Sequence, residues 1–238
     1  MLTDYIGPGT KLDLQPMVKL NNAVVGGKKK NHESRIYDIL SDDRIEIMMP
    51  TEKGKLVLLQ VDDEYDLYFY TPKGLYQCFA RIIDRYRSNN IYILVMDLTS
   101  NLRKYQRREY YRFSCALDMW QRLLKEEEID TISRNGMLVP DPALPLKHSV
   151  IVDISGGGLR FVGNYHYEED SLICCIYHLI THDSDKEYRL IGKVIKVQEL
   201  PNKPGQYEHR VQYVNINEEE REEIIHFIFE EERRNRKR

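Results

Sequence analysis

Short runs of β-forming residues, cut again and again by turn-forming residues, recur along almost the whole chain. They leave room for little except an all-β fold. Asp66–Tyr70 and Leu75–Asp84 flank Thr71-Pro72-Lys73-Gly74, where Pro and Gly suit the second and fourth positions of a type I turn, so a hairpin is expected. Lys11–Leu14, Arg35–Ile39, Arg44–Met48, Lys55–Val61 and Ile91–Asp97 read as further strands, with turns at Ser41-Asp42-Asp43 and Ser88-Asn89-Asn90. Strands this closely spaced, without helical stretches between them, predict a small barrel or sandwich that ends near Ser100. Seventeen tyrosines against one tryptophan, with many Ile and Val, point the same way.

A second strand set follows. Phe113–Leu117, Ser149–Ile154, Leu159–Val162, Leu172–Ile180, Glu187–Glu199 and Tyr207–Ile216 are expected strands, with Pro201–Gly205 turning between the last two. Between them, 124–129 reads as a helical turn or a charged excursion, and Pro140, Pro142 and Pro145 mark a loop. The end of the chain changes period. Asn217 followed by Glu220 fits a capped helix start, Glu218–Glu220 suit its positive end, and Ile224, Phe227 and Ile228 share one face. A terminal helix packed on the second barrel, with a basic tail at Arg233–Arg238, is expected. The organisation is therefore a first β domain over 1–100, a basic linker over 101–112, and a second β domain with its helix over 113–238.

With net charge −3, no global field attracts nucleic acid, so any anion site must be local. Apolar runs such as Ile91–Met96 are too short to span a bilayer, and the opening residues carry no signal-peptide pattern, so a cytoplasmic protein is expected. The four cysteines include no CxxC pair, and adjacent Cys174 and Cys175 should face opposite sides of a strand, as reduced thiols. No metal is expected: His178 and His182 are four apart on a strand, roughly 13 Å, too far to share an ion. The remaining histidines are expected at the surface or the core edge. No G-x-S-x-G or P-loop is present, so no catalytic residue is assigned. The basic loop Gly26–Asn31 is expected to be a solvated tip.

The linker is the exception to this plain picture. Arg107, Arg108 and Arg112 stand together at the joint between the domains, and Asp153-Ile154-Ser155-Gly156-Gly157-Gly158 closes a strand of the second domain. Guanidinium forks onto the guanine edge, stacks on a base and pairs with phosphate. A carboxylate accepts from a guanine N–H, a hydroxyl donates or accepts, and glycines allow close backbone approach. Such a set suits a ligand that carries guanine edges and phosphates together. Read by its linker arginines and Tyr105, Tyr110 and Tyr111 alone, the stretch would instead stack single-stranded nucleic acid.

Arg107-Arg108-x-x-x-Arg112 with Asp153-x-Ser155-x-x-Gly158 resembles the two-part motif of the PilZ domain, the cyclic di-GMP receptor family. The preceding β domain and the final helix resemble the YcgR-like flagellar-brake arrangement. The resemblance implies an all-β fold with an N-terminal split β-barrel, a six-stranded C-terminal PilZ barrel and a C-terminal α-helix. It implies that Arg108 and Arg112 grip guanine and phosphate and that Arg107 adds a stacking or phosphate contact. It assigns Asp153 and Ser155 to a second guanine edge and Gly158 to the shape of the turn. An arginine at position 107 is associated in the family with a stacked pair of cyclic di-GMP molecules. The implied function is a non-enzymatic receptor, with no cofactor beyond its ligand, that changes its interdomain arrangement on binding. It would act on a flagellar motor or stator protein, without DNA binding or membrane insertion, and be recruited to the flagellar basal body. The alternative is a nucleotide-independent adaptor that binds protein or nucleic acid through its basic linker. The long charged insert over 121–147 is a departure that bears on partners more than on ligand.

Overall fold

The computed structural model describes residues 1–17, 31–135, 144–182 and 184–236. The Gly26–Lys30 loop, Pro140, Pro142, Lys237 and Arg238, on which expectations were placed, lie outside the described residues. The chain divides by its contacts into two units, Met1–Arg107 and Arg108–Arg238.

Among the described residues of the first unit, a 3-10 turn at Leu2–Asp4 precedes nine strands. They are β1 (Lys11–Pro16), β2 (His32–Ile39), β3 (Arg44–Met48), β4 (Thr51–Glu52), β5 (Lys55–Leu56), β6 (Glu64–Thr71), β7 (Gly74–Ser88), β8 (Ile91–Leu98) and β9 (Arg103–Lys104). The order β6-β1-β2-β3-β8-β7 closes into a ring because β6 also pairs with β7. One long strand serves both neighbours: β7 pairs with β6 through Arg81 and with β8 from Ala80, and it is irregular between Ile82 and Asp84. Bulges of this kind bend a strand and let a small barrel close. Alternation fills the interior with Leu12, Leu14, Ile36, Ile45, Ile47, Leu67 and Phe69.

The hairpin expected at Thr71–Gly74 forms, and so does the turn expected at Ser88-Asn89-Asn90. Thr71 pairs with Gly74, and the Thr71 hydroxyl donates to the Gly74 carbonyl and accepts from the Lys73 amide. Asn89 and Asn90 take positive φ (46° and 66°), the conformation that suits a tight hairpin between β7 and β8. The expected strand over Lys55–Val61 is not one. Only Lys55 and Leu56 pair, back onto β4 around the positive-φ residues Lys53 and Gly54. Beyond them Leu58 is exposed, Leu59 is buried and Val57 packs partly buried against the core, so the apolar run lends side chains to the core without continuing the strand pairing.

The second unit holds β10 (Phe113–Leu123), α1 (Glu126–Asn135), β11 (Lys147–Ser155), β12 (Gly158–Gly163), β13 (Leu172–Ile180), β14 (Asp185–Leu200), β15 (Lys203–Val214) and α2 (Glu218–Arg236). Its six strands form a closed barrel in the order β10-β11-β12-β15-β14-β13. Phe161, Ile173, Cys175, Tyr177 and Val194 fill it, and Ile224, Phe227 and Ile228 of α2 join the same core. The Asn217 side chain caps α2 by accepting from the Glu220 amide at 2.7 Å. Arg234 and Arg236 pair with Glu231 and Glu232 of the same helix, so this part of the basic end is satisfied internally.

The excursion at 124–129 is the start of a helix. Ile129 and Ile132 of α1 pack with Leu124, Cys174, Ile176 and Ile191, a small cluster separate from the barrel core. Cys175 lies in the barrel and Cys174 in this second cluster, opposite faces of β13 as strand geometry requires. One expectation fails here. His209 is fully buried, stacked on Phe161 with centroids 4.5 Å apart, where a surface or core-edge position was expected. Its β15 position falls between outward-facing Glu208 and Arg210, and alternation sends it inward.

Candidate functional site

β11 ends at Ser155 and β12 begins at Gly158, and the two residues pair across the Gly156-Gly157 turn. The Ser155 hydroxyl is buried and donates to the Gly158 carbonyl at 3.0 Å, while the Tyr213 amide donates to the Gly157 carbonyl at 3.0 Å. Gly158 is needed for space as well as for its φ of +156°. A Cβ there would stand 2.1 Å from the Val211 carbonyl oxygen of β15.

The arginine stretch is held against this turn. A Cβ on Gly156 would meet the Tyr110 ring at 2.8 Å, and one on Gly157 would meet it at 2.9 Å. Tyr110 is in turn gripped by α2. The Arg221 guanidinium donates to its hydroxyl and lies 5.3 Å from its ring centroid. Tyr111 donates to Glu232 of α2 at 3.3 Å. The two tyrosines thus anchor Arg108–Arg112 to the second unit, which leaves Arg108 and Arg112 exposed. Arg107 belongs to the first unit, where it donates to the Tyr70 hydroxyl at 3.3 Å while Tyr70 donates to Asp13 at 2.6 Å.

Asp153 pairs in register with Arg160 across β11 and β12. Its carboxylate is 13% exposed and accepts from Arg160 Nε at 2.6 Å. Arg160 also donates to Glu208 at 2.9 Å, and Glu208 lies 3.7 Å from Arg210 Nε. Arg112 shares this neighbourhood. Desolvation by its surroundings lowers its pKa, the charges of Arg108, Arg210 and Arg160 add to the lowering, and Asp153 opposes them. Positive charge is therefore gathered here beyond what the nearby carboxylates neutralise, the electrostatic condition for holding an anion.

Of the residues expected from the sequence, Arg108, Arg112 and Asp153 fall in one electrostatic neighbourhood. Ser155 and Gly158 shape the turn beneath it, with the Ser155 proton already engaged inside that turn. Sequence reasoning missed Arg160, Glu208 and Arg210. The signal available for Arg160 was its position two residues after Gly158, on the same face of β12. Among the described residues no group of three or more His, Cys, Asp or Glu side chains is arranged to hold a metal ion, and no helix is long and apolar enough to cross a membrane.

A PilZ-domain family model matches residues 101–230, more than half of the chain. The chain belongs to the PilZ-domain family. A second model, described as flagellar protein YcgR, matches residues 7–98. Comparison with curated proteins gives no match. Among solved structures this PilZ-domain chain is similar to the inhibitor of motility MotI/DgrA of Bacillus subtilis. The TM-score is 0.73 at 17% identity, over 98% of this chain and 100% of that one. It is more distantly similar to YcgR of Escherichia coli in complex with c-di-GMP, with a TM-score of 0.45 at 13% identity over 96% and 86% of the two chains. The likeness to MotI/DgrA establishes a shared fold across both units. The all-β class, the two barrels and the terminal helix agree with the expected PilZ arrangement.

Proposed function

We propose that the chain is a cytoplasmic, non-enzymatic receptor for cyclic di-GMP that regulates flagellar motility. The observation that carries the reading is the cluster in which Arg112 feels the charges of Arg108, Arg160, Arg210 and Asp153, with Arg160 bonded to Asp153, beside the Ser155–Gly158 turn. Arg108 and Arg112 would hold guanine and phosphate, with the Asp153 carboxylate offered to a guanine N–H. For that, Asp153 must release Arg160, and the freed guanidinium is available to phosphate. Gly158 keeps the turn in the shape that presents these groups.

Coupling to the first unit would run through the linker. Tyr110 already docks the 108–112 end, so the ligand has less of the linker to order than a free segment would demand. The contact division falls between Arg107 and Arg108. A ligand, or a stacked pair, held by both arginines would tie the two units and bias their arrangement by its differential affinity. The YcgR-type match over 7–98 and the motility inhibitor among the similar structures support a motor or stator protein as the output, with recruitment to the flagellar basal body.

Isothermal titration of cyclic di-GMP into the full chain tests the ligand. Saturable binding is expected, with a stoichiometry of one or two that decides whether a stacked pair is held. Arg108→Ala should weaken binding about tenfold or more, as loss of a charged hydrogen-bond donor does. Absence of heat from folded wild-type protein would remove the ligand. Swimming assays of an Arg108→Ala strain test the output, and an unchanged motility effect would detach it from nucleotide.

A further inference from the structure

The barrel carries a row of cations that the motif does not include. Arg160 of β12 stands directly opposite Arg210 of β15, and Arg210 stands directly opposite Lys196 of β14. The flanking pairs, Phe161 with His209 and Leu159 with Val211, are buried, so the three cations share the outer face. Like charges directly opposite across strands are destabilising. Three in a row on adjacent strands call for a counter-charge. Within the protein that charge comes from Asp153 at one end and from Glu208, which bridges Arg160 and Arg210 at 2.9 and 3.7 Å. With Arg112 nearby, four cations then face two carboxylates.

We propose that Arg160, Arg210 and Lys196 form a phosphate-binding row that extends the site across the barrel, and that Glu208 is the internal counter-ion an incoming phosphodiester displaces. This rests on the cyclic di-GMP reading. The row spans two strand spacings, roughly 10 Å, the scale of one small dinucleotide. With the net charge at −3, no global field favours a long nucleic-acid strand over a compact anion. The two arginines supply planar forks for phosphate oxygens, and Lys196 adds a point charge at the far end. Glu208 keeps the row compatible with folding when no ligand is present, and it competes with ligand for the same guanidinium groups.

The test is calorimetric titration of cyclic di-GMP into the full chain at low and moderate salt. Wild type is compared with Arg210→Ala, Lys196→Ala and Glu208→Gln, each checked for native unfolding behaviour. Arg210→Ala is expected to weaken binding about tenfold and to flatten the salt dependence. Lys196→Ala should do the same to a smaller extent, and Glu208→Gln should tighten binding because a neutral amide no longer competes. If wild type binds and all three variants match it, the row is overturned while the receptor reading stands. If wild type does not bind, titration of pyrophosphate followed by the amide shifts of β15 separates the two ideas. Shifts in wild type that are lost in Arg210→Ala would keep the anion row without the nucleotide. No shifts would overturn the row as well.

Discussion

The ring of Tyr110 lies against the backbone of Gly157, so close that a Cβ on this glycine would stand 2.9 Å from the ring. The contact fixes where the arginine stretch sits, because Tyr110 lies between Arg108 and Arg112. Gly157→Ala should push the ring away, loosen its bond to Arg221 and free the 108–112 segment, while Ser155 and Gly158 still pair. Overpacking of this kind costs about 1–3 kcal/mol. Hydrogen exchange is the measurement: protection should fall at 108–112 and persist in β11 and β12.

Ser155 and Gly158 have structural duties that any binding experiment will register. Loss of the buried Ser155 hydroxyl bond should cost about 1 kcal/mol in a Ser155→Ala protein, seen as a lower urea midpoint at unchanged slope. Gly158→Ala should be far worse. Its Cβ would enter the Val211 carbonyl, which belongs to backbone in a paired strand and cannot rotate away. Loss of the native near-ultraviolet signal of the second barrel is expected. A cooperative, wild-type melt would show that β15 yields more readily than its pairing implies.

How much of this was legible in the sequence follows from how local each determinant is. The Thr71–Gly74 and Asn89-Asn90 turns were legible because turn chemistry acts over four residues. The capped start of α2 was legible for the same reason. Lys55–Val61 misled because its run of apolar, β-forming residues reads as a strand, while the decision to leave it unpaired is made by Lys53, Gly54 and the bonds of neighbouring segments. His209 was misplaced although the alternation of β15 turns it inward, because the groups that receive it there, the Phe161 ring and the Tyr167 amide, come from other parts of the chain. At the site, Arg108, Arg112 and Asp153 could be named from motif spacing. The Arg160–Glu208 bond joins residues 48 apart, and only the register of β12 on β15 brings them together.

The insert supplies an independent test of its own docking. Arg122 of β10 and Glu128 of α1 form two parallel bonds of 2.7 and 2.6 Å, with side chains only 5% and 12% exposed. Removing one partner leaves a charge buried without its counter-ion, which costs about 3–5 kcal/mol. Replacing both with apolar residues removes the attraction and the desolvation penalty together. Arg122→Met should therefore destabilise the chain strongly, and adding Glu128→Leu should restore most of the loss. Chemical denaturation of the two variants decides it. Equal stability of the single and double variants would show that α1 is held by Ile129 and Ile132 alone.

His209 should make the second barrel sensitive to acid. Burial pushes its pKa down from 6.5 to about 4, with nearby His166 acting in the same direction and the Tyr207 backbone opposing. The neutral ring is also required by its bond, since its Nε2 accepts from the Tyr167 amide at 3.3 Å. Because the folded pKa lies below the unfolded one, the unfolded chain takes up the proton first. The contribution to stability is full above about pH 6.5 and is lost as the pH falls through 4, a change on the order of 3 kcal/mol. Unfolding free energies measured from pH 7 to pH 4 should show this decline. His209→Gln keeps an acceptor for Tyr167 without a group that titrates, so its stability should fall less steeply across the same window. Parallel pH profiles for the two proteins would assign the acid sensitivity to groups other than His209.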